Sequence, residues 1–270
     1  MKITFVGGGN MASAIAGGLI KQGHDKATLH VVEIDPAARA RITREYAIAV
    51  HEKLDAAVAA ADCIVLAIKP QNMREVAATL RPFLREQLVI SIAAGIRSSD
   101  LARWLGGYAR IVRAMPNTPA LVGAGWAGLY AMTGVPAADI NKAEAILGAV
   151  GSTLKVERET QLDAITAVSG SGPAYVFFFI EALQAAALEL GLSADAARRL
   201  AVGTFDGAVK LAAASDEDIA TLRARVTSKG GTTAAALASL EDARVKEAIV
   251  RAVHAADARS RELGDELGKD

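Results

Sequence analysis

The sequence has little of several residue types, and each shortage restricts what the protein does. Its single cysteine, Cys63, has no partner for a disulfide within the chain, which favours a reducing cytoplasm. Lysine plus arginine total 30, as do aspartate plus glutamate, so there is no surplus of the positive charge that nucleic-acid-binding proteins carry. One cysteine and four dispersed histidines offer no cluster of metal ligands. We therefore expect a cytoplasmic protein that binds neither nucleic acid nor a resident metal.

The sequence also lacks a long apolar run. The longest uninterrupted one, residues 173–180, ends at Glu181, whereas a membrane-spanning helix needs about 20 residues. Near the start, Gly7 interrupts the sequence before the apolar part of a secretory signal develops. We expect neither a signal peptide nor an association with membranes.

Apolar residues are nevertheless abundant, because they make up 52% of the 270 residues although aromatic residues contribute only 4%. A small monomer does not easily bury so much apolar surface. We therefore expect a subunit interface in a homo-oligomer that is at least a dimer.

The first half of the chain alternates short apolar runs with helix-like segments. Runs of about five residues with almost no polar position are typical of parallel strands that are buried on both faces. Strands are predicted at 3–6, 29–33, 63–68, 88–92 and 110–114, with two more at 124–131 and 152–156. This alternation predicts an α/β domain of the Rossmann type, with a doubly wound, mostly parallel sheet.

The second half contains no convincing strand. Helices are predicted at 161–190, 193–214, 216–226 and 233–263, followed by a frayed tail at 264–270. We therefore expect an α/β domain over residues 1–158 and an all-α domain over residues 159–270.

A glycine-rich turn, Gly7-Gly8-Gly9-Asn10-Met11-Ala12, directly follows the first predicted strand and opens a helix. Gly7 permits a tight turn, Gly9 lets a diphosphate approach the backbone, and Ala12 allows close packing of helix and strand. The alternative is a glycine-rich turn without a ligand. The context of strand, turn and helix favours dinucleotide binding.

Two acidic residues, Glu33 and Asp35, stand at the end of the second predicted strand. An acid in this place accepts hydrogen bonds from the adenosine ribose and repels a 2′-phosphate, which favours NADH over NADPH. The alternative for Asp35 is that it caps the helix that starts at Pro36.

A second glycine turn, residues 227–233, precedes an alanine-rich helix in the second half. Its backbone N–H groups are suited to an anion such as a carboxylate, whereas the alternative is an N-cap by Thr232 or Thr233 that needs no ligand. Upstream, the glycines of residues 169–173 interrupt a helix, and Pro173 suits the first turn of the next one; the alternative is a kink that permits close packing.

Taken in order, these motifs resemble those of the pyrroline-5-carboxylate reductases, and the resemblance covers nearly the whole chain. The segments that carry it are Gly7-Gly8-Gly9-Asn10-Met11, Ala67-Ile68-Lys69-Pro70-Gln71, Ser91-Ile92-Ala93-Ala94-Gly95, Met115-Pro116-Asn117-Thr118-Pro119, Ser169-Gly170-Ser171-Gly172-Pro173-Ala174-Tyr175, residues 227–233 and Arg259-Ser260-Arg261-Glu262-Leu263-Gly264. The chain departs from the family pattern at Lys229, where proline is frequent.

The resemblance implies reduction of 1-pyrroline-5-carboxylate to L-proline with NADPH or NADH, and an all-α domain that interlocks with that of a second subunit. The implied coenzyme-binding residues are Val6, Gly7, Gly8, Gly9, Asn10, Met11, Ala67, Ile68, Lys69, Pro70, Ala93, Ala94, Gly95 and Asn117. The implied substrate-binding residues are Ser228, Gly230, Gly231, Thr232 and Thr233.

The expected catalytic residue is Thr233, whose hydroxyl the resemblance places beside the imine nitrogen. A threonine hydroxyl is too weak an acid to donate freely, so we expect it to position the ring. The four histidines, His24, His30, His51 and His254, are scattered along the sequence and are expected to face solvent.

Two other functions remain open from the sequence. The first is a reductase of another cyclic imine or of a small hydroxy acid, although no lysine of the second half lies in a motif suited to acid–base chemistry. The second is a non-catalytic dinucleotide-binding protein, which an intact loop at residues 230–233 disfavours.

Overall fold

The computed structural model describes residues 1–55 and 60–269, and these form two compact units. Unit 1 comprises Met1–Ser171 together with the chain from Ala256 onward, and unit 2 comprises Gly172–Ala255. The compact units are divided after Ser171 and again after Ala255. The domain boundary expected between residues 158 and 159 stays a prediction.

Unit 1 contains an eight-stranded sheet. Its strands are β1 Ile3–Val6, β2 Leu29–Val32, β3 Ala49–His51, β4 Cys63–Leu66, β5 Leu88–Ser91, β6 Ile111–Pro116, β7 Gly125–Ala131 and β8 Gly151–Lys155. Their spatial order is β3-β2-β1-β4-β5-β6-β7-β8, and every neighbouring pair is parallel except β6 and β7. This confirms the doubly wound, mostly parallel sheet, while β3 was not predicted.

The strands β1, β4 and β5 are buried on both faces because they contain only apolar or small residues. Successive side chains of a strand point to opposite faces. Ile3 and Phe5 of β1 therefore belong to one apolar core, and Val6 belongs to the other.

Helices of unit 1 cover these two faces. They are α1 Asn10–Lys21, α2 Pro36–Tyr46, α3 Met73–Leu80, α4 Ser98–Trp104, α5 Ala137–Gly148 and α6 Gln161–Ile165, and a π-helical turn, Thr166–Gly170, follows α6. The long helix predicted over 161–190 is therefore divided, and the next helix begins at Gly172.

Unit 2 is helical, as predicted for the second half. Its helices are α7 Gly172–Glu189, α8 Ala194–Ala213, α9 Ile219–Arg225, α10 Thr232–Asp242 and the first part of α11 Val245–Leu267. The side chain of Ser193 caps α8 by accepting a hydrogen bond from the N–H of Ala196. These elements confirm the predicted fold class, an α/β domain joined to an all-α part.

Two predictions about the C-terminal helix were wrong. The single helix predicted over 233–263 is broken between α10 and α11, where Arg244 adopts a left-handed φ of 51°. The predicted frayed tail is instead helical to Leu267, and Gly264 is buried against the Arg97 guanidinium. Arg97 also forms an ion pair with Asp265 at 2.6 Å. The tail is helical because it belongs to unit 1 and packs there against Arg97.

The surface of α7 is unusually apolar. No residue of α7 is buried, and Phe177 and Phe178 are 61% and 68% exposed. Among the described residues, the stretch from Gln161 to Glu189 is long and apolar enough, by length and composition alone, to cross a membrane. An exposed apolar helix of this kind also marks a protein–protein interface.

Candidate active site

The predicted coenzyme residues of unit 1 follow the carboxyl ends of five parallel strands, of which β2 precedes Glu33 and Asp35. Because β1, β2, β4, β5 and β6 are mutually parallel, their carboxyl ends lie at one edge of the sheet. The chain leaves β1 towards β2 and leaves β4 towards β5, so the strand order reverses between β1 and β4. Such a reversal opens the crevice in which doubly wound folds bind their ligands.

The glycine turn after β1 has the conformation that its sequence predicts. Gly7 has a left-handed φ of 98°, and a Cβ atom there would lie 2.6 Å from the carbonyl oxygen of Ala67. Gly9 is the N-cap of α1, with no side-chain hydrogen bond to the helix start and no atom within 4 Å of the place of a Cβ. No side chain caps the first N–H groups of α1, and the space beside Gly9 is open, as a diphosphate site requires.

The two acids after β2 form hydrogen bonds with the backbone. The Glu33 carboxylate accepts from the N–H of Gly8 at 2.7 Å and from the N–H of Asp35 at 2.9 Å. Asp35 accepts from the N–H groups of Ala37 and Ala38, so its alternative role as the N-cap of α2 is confirmed. Each carboxylate keeps lone pairs for a further donor.

Two further loops that contain predicted coenzyme residues follow β4 and β5. In the first, the N–H of Ala67 donates to the carbonyl of Val6 at 2.8 Å, so this loop lies beside the glycine turn. In the second, Ala93 is buried in an apolar core and Ala94 is exposed. Gly95 has a φ of 74° and packs against Leu263 and Leu267 of α11. Ala93 therefore has only its backbone to offer a ligand.

Lys69 and Pro70 complete the loop after β4. Lys69 is exposed and is the N-cap of a short 3-10 helix, Pro70–Asn72, while Ile68 and Pro70 are half-buried. The proline at the first helical position has the backbone angle that this position requires.

Asn117, after β6, has its amide group engaged by the protein. Its Nδ2 donates to the carbonyl and the Oγ of Ser169 at 3.2 and 3.0 Å, and its Oδ1 accepts from the N–H of Trp126 at 2.8 Å. Ser169 lies in the π-helical turn, so Asn117 fixes that turn against the end of β6. A direct contact of Asn117 with a coenzyme stays a prediction.

The expectation that all four histidines face solvent was wrong. His30 of β2 and His51 of β3 are half-buried, their rings stack with centroids 5.3 Å apart, and their Nδ1 and Nε2 atoms lie 3.0 Å apart. Burial, followed by the neighbouring His51 and Lys2, lowers the pKa of His30. His24 is half-buried as well, whereas His254 is exposed. Because β3 was not predicted, the sequence did not reveal the pair.

In unit 2, the second glycine turn connects α9 to α10. Gly230 has a φ of 72°, and a side chain at Gly231 would collide with the Ser228 Oγ. Helix α10 begins at Thr232 with Gly231 as its N-cap and without a side-chain cap, so the N-cap by Thr232 or Thr233 was wrong. Ser228, Gly230 and Thr232 are exposed, and Thr233 is half-buried.

No metal centre emerges from the part of the chain that the structure describes, since it contains no group of three or more His, Cys, Asp or Glu side chains placed to hold an ion. Each unit thus contains one glycine turn, which offers backbone amides and small polar side chains to a ligand.

Comparisons with known proteins decide the family. A family model described as pyrroline-5-carboxylate reductase dimerisation matches residues 159–263, and one described as NADP oxidoreductase, coenzyme F420-dependent, matches residues 2–95. The pyrroline-5-carboxylate reductase of Pseudomonas aeruginosa is 46% identical over 269 residues, which cover 99% of this chain and 98% of that protein. The chain belongs to the pyrroline-5-carboxylate reductase family.

Two solved structures of this family are similar to the chain throughout. The reductase from Coxiella burnetii is 40% identical, with a TM-score of 0.92, and the match covers 97% of this chain and 98% of that one. The Plasmodium falciparum pyrroline carboxylate reductase, a structure with NADP bound, is 32% identical, with a TM-score of 0.88 and 98% of each chain covered.

Two residues at this edge have contacts that the sequence did not predict. Arg41 of α2 donates to the carbonyl of Gly8, and Ser169 accepts from Asn117. No local signal marks Arg41, because its partner is 33 residues away. The glycines and serines at residues 169–173 interrupt the helical pattern and are a local signal for the π-helical turn. Such turns frequently occur at functional sites.

Proposed function

We propose that this protein reduces 1-pyrroline-5-carboxylate to L-proline, the last step of proline biosynthesis, with NADPH or NADH bound at the carboxyl edge of the unit 1 sheet. Membership of the pyrroline-5-carboxylate reductase family carries the reaction. The uncapped start of α1 beside an open Gly9 is the single structural observation that best supports the coenzyme site.

The coenzyme supplies hydride when it is bound, and the protein supplies position. The N–H groups from Gly9 to Met11 are suited to the diphosphate, because the partial positive charge of a helix start stabilises an anion. Glu33 would accept from the adenosine ribose. The loops that follow β4 and β5 would line the nicotinamide half, since they lie on the other side of the strand reversal.

The turn between α9 and α10 would hold the substrate carboxylate. Gly230 and Gly231 present backbone N–H groups, and α10 starts there without a side-chain cap. Ser228 and Thr232 would assist, and Thr233, the proposed catalytic residue, would accept from or donate to the imine nitrogen. Orientation of this kind lowers a barrier by several kcal/mol. The proton on the product nitrogen would come from water, because a threonine hydroxyl is too weak an acid.

The acids after β2 support efficient use of NADH. Glu33 and Asp35 bring negative charge to the place where a 2′-phosphate would bind. The nearest arginine, Arg39, is engaged by the carbonyls of Glu33 and Ile34 at 3.0 and 2.8 Å. We therefore propose that the catalytic efficiency with NADH at least matches that with NADPH.

The exposed apolar face of α7 supports a homodimer in which the helical parts of two subunits interlock. The dimerisation description of the matching family model covers this helix. A cytoplasmic location fits Cys63, whose thiol is buried. Burial raises the pKa of this thiol, so it stays protonated and unreactive.

An activity assay with identification of the product tests the proposal. Purified protein is mixed with 1-pyrroline-5-carboxylate and subsaturating NADH or NADPH, and proline is identified as the product. A hundredfold advantage for NADPH would contradict the coenzyme proposal alone. Coenzyme binding without proline formation, together with turnover of another cyclic imine or a hydroxy acid, would contradict the proposal that 1-pyrroline-5-carboxylate is the substrate.

A further inference from the structure

The peptide groups on either side of Gly8 are held by two side chains of the β2–α2 segment. The N–H of Gly8 donates to Glu33 Oε2 at 2.7 Å, and the carbonyl of Gly8 accepts from Arg41 Nη2 at 3.1 Å. Ser13 adds a longer contact, since its Oγ lies 3.4 Å from the same carbonyl. The middle glycine of the turn is therefore clamped on both sides.

This clamp matters because three successive glycines have more conformational freedom than any other tripeptide. Gly7 is constrained by its neighbours, since its N–H donates to the carbonyl of Val32 and Ala67 blocks any larger side chain. At Gly9 no atom lies within 4 Å of the place of a Cβ, and the backbone is held only on its carbonyl side, where the Gly9 oxygen accepts from the N–H of Ser13 at 2.9 Å. The orientation of the Gly8–Gly9 peptide depends on the hydrogen bond that its carbonyl accepts.

The planar trans peptide transmits this orientation to Gly9. In a trans peptide the C=O and the following N–H point in opposite directions. When Arg41 holds the carbonyl of Gly8 on the α2 side, the N–H of Gly9 must point away from α2. That is the N–H that opens the uncapped start of α1.

The charge of Arg41 is already partnered within α2. Its Nη1 lies 3.3 Å from the Glu45 carboxylate, and its Nη2 lies 3.4 Å from the Ser13 Oγ in addition to the Gly8 carbonyl. Its side chain is 34% exposed. Arg41 is therefore placed to hold the turn rather than to project towards solvent.

We propose that Arg41 is a positioning residue for the coenzyme diphosphate, because it fixes the Gly8 carbonyl and thereby directs the N–H of Gly9 at the anion. The inference rests on the proposed coenzyme site. An arginine that positions the diphosphate site affects the binding of NADH and NADPH equally, because both coenzymes contain the diphosphate. An arginine that binds the 2′-phosphate directly affects the binding of NADPH alone.

The test compares Arg41→Met with Arg44→Met, a matched control at an exposed position of the same helix. Loss of a charge-assisted hydrogen bond predicts that the Kd values of NADH and NADPH rise about tenfold, by the same factor within about twofold. The kcat and the KM for the imine stay unchanged, and Arg44→Met behaves as wild type. Kd is measured by quenching of protein fluorescence, so the test does not depend on turnover.

Two outcomes would contradict the inference. Unchanged Kd values in Arg41→Met would overturn it, and a rise for NADPH alone would identify Arg41 as a direct contact of the 2′-phosphate. Arg41→Lys, which keeps a cationic donor, is expected to recover most of the affinity, and it carries the test if Arg41→Met fails to fold. A wild-type protein that binds coenzyme without making proline contradicts the proposed reaction while the comparison of Kd values still stands.

Discussion

Gly7 and Gly9 are two residues apart, and the structure predicts opposite consequences of replacing them by alanine. At Gly7, a side chain would have to adopt a φ of 98° with its Cβ 2.6 Å from the carbonyl oxygen of Ala67 and 2.9 Å from Ile68 Cγ2. The left-handed conformation costs about 1–2 kcal/mol for a residue with a Cβ, and forcing an atom into a packed site costs about 1–3 kcal/mol. Gly7→Ala is therefore expected to lower the free energy of unfolding by about 2–5 kcal/mol.

At Gly9 neither cost applies. Its φ is −66°, and no atom lies within 4 Å of the place of a Cβ. Alanine is a poorer N-cap than glycine but also restricts the unfolded chain, and because these effects oppose each other, Gly9→Ala is expected to change the Tm by no more than about 2–4 °C. The new methyl group would occupy the space left for the diphosphate, so the KM for NADH and NADPH is expected to rise at least about tenfold.

Thermal unfolding and steady-state kinetics of the two variants form the assay. For Gly7→Ala, a loss of about 3 kcal/mol corresponds to a fall in Tm of about 6–12 °C. The reasoning is refuted if Gly7→Ala unfolds at the wild-type temperature, or if Gly9→Ala binds both coenzymes as tightly as wild type.

Three other predictions follow from single residues. Thr233→Ala is expected to lower kcat at least about tenfold with an unchanged Tm, because the hydroxyl orients the imine, and wild-type kinetics would contradict this. The pKa of His30 is lowered in the folded protein from its ordinary value of 6.5. Below about pH 6.5 the unfolded chain therefore binds more protons than the folded protein, and the free energy of unfolding is expected to fall as the pH drops. Thermal melts from pH 7.5 to 5.5 should show a smaller fall for His30→Gln; equal falls would refute this. Ala47→Gly relieves a φ of 53° at the end of α2 and is expected to raise stability by about 1 kcal/mol in denaturant titrations, unlike Ala37→Gly in the first turn.

The parallel sheet was predictable because its central strands carry an unbroken local signal. β1, β4 and β5 are each four residues long and buried throughout, and a short, nearly continuous apolar run of this kind is typical of a strand in a parallel sheet. β3, by contrast, has only three residues, none of them buried, and it pairs with a single neighbour at the edge of the sheet. Its pairing depends on the tertiary position of β2, which no local pattern reports.

The helix break and the tail show a similar limit. Arg244 takes a left-handed conformation that favours glycine or asparagine, so the sequence contains no signal for a helix end there. Gly264 looked like a stop signal, but the absence of a side chain lets α11 pack against Arg97. Tertiary packing outweighs the low helix propensity of glycine.

The site was predictable where its chemistry depends on the backbone conformation of glycine, as at Gly7 and Gly230. It was not predictable where side chains distant in sequence hold that backbone. Arg41 and Gly8, like Asn117 and Ser169, meet only because the fold brings α2 beside the glycine turn and the π-helical turn beside the end of β6.

The most direct measurement is the transfer of isotope from coenzyme to product. NADH carrying deuterium at the transferable C4 position is incubated with the protein and 1-pyrroline-5-carboxylate, and the proline formed is analysed by mass spectrometry and NMR. Direct hydride transfer to the imine predicts proline with one deuterium at C5. Proline without the label, or oxidation of NADH without proline, would contradict the account.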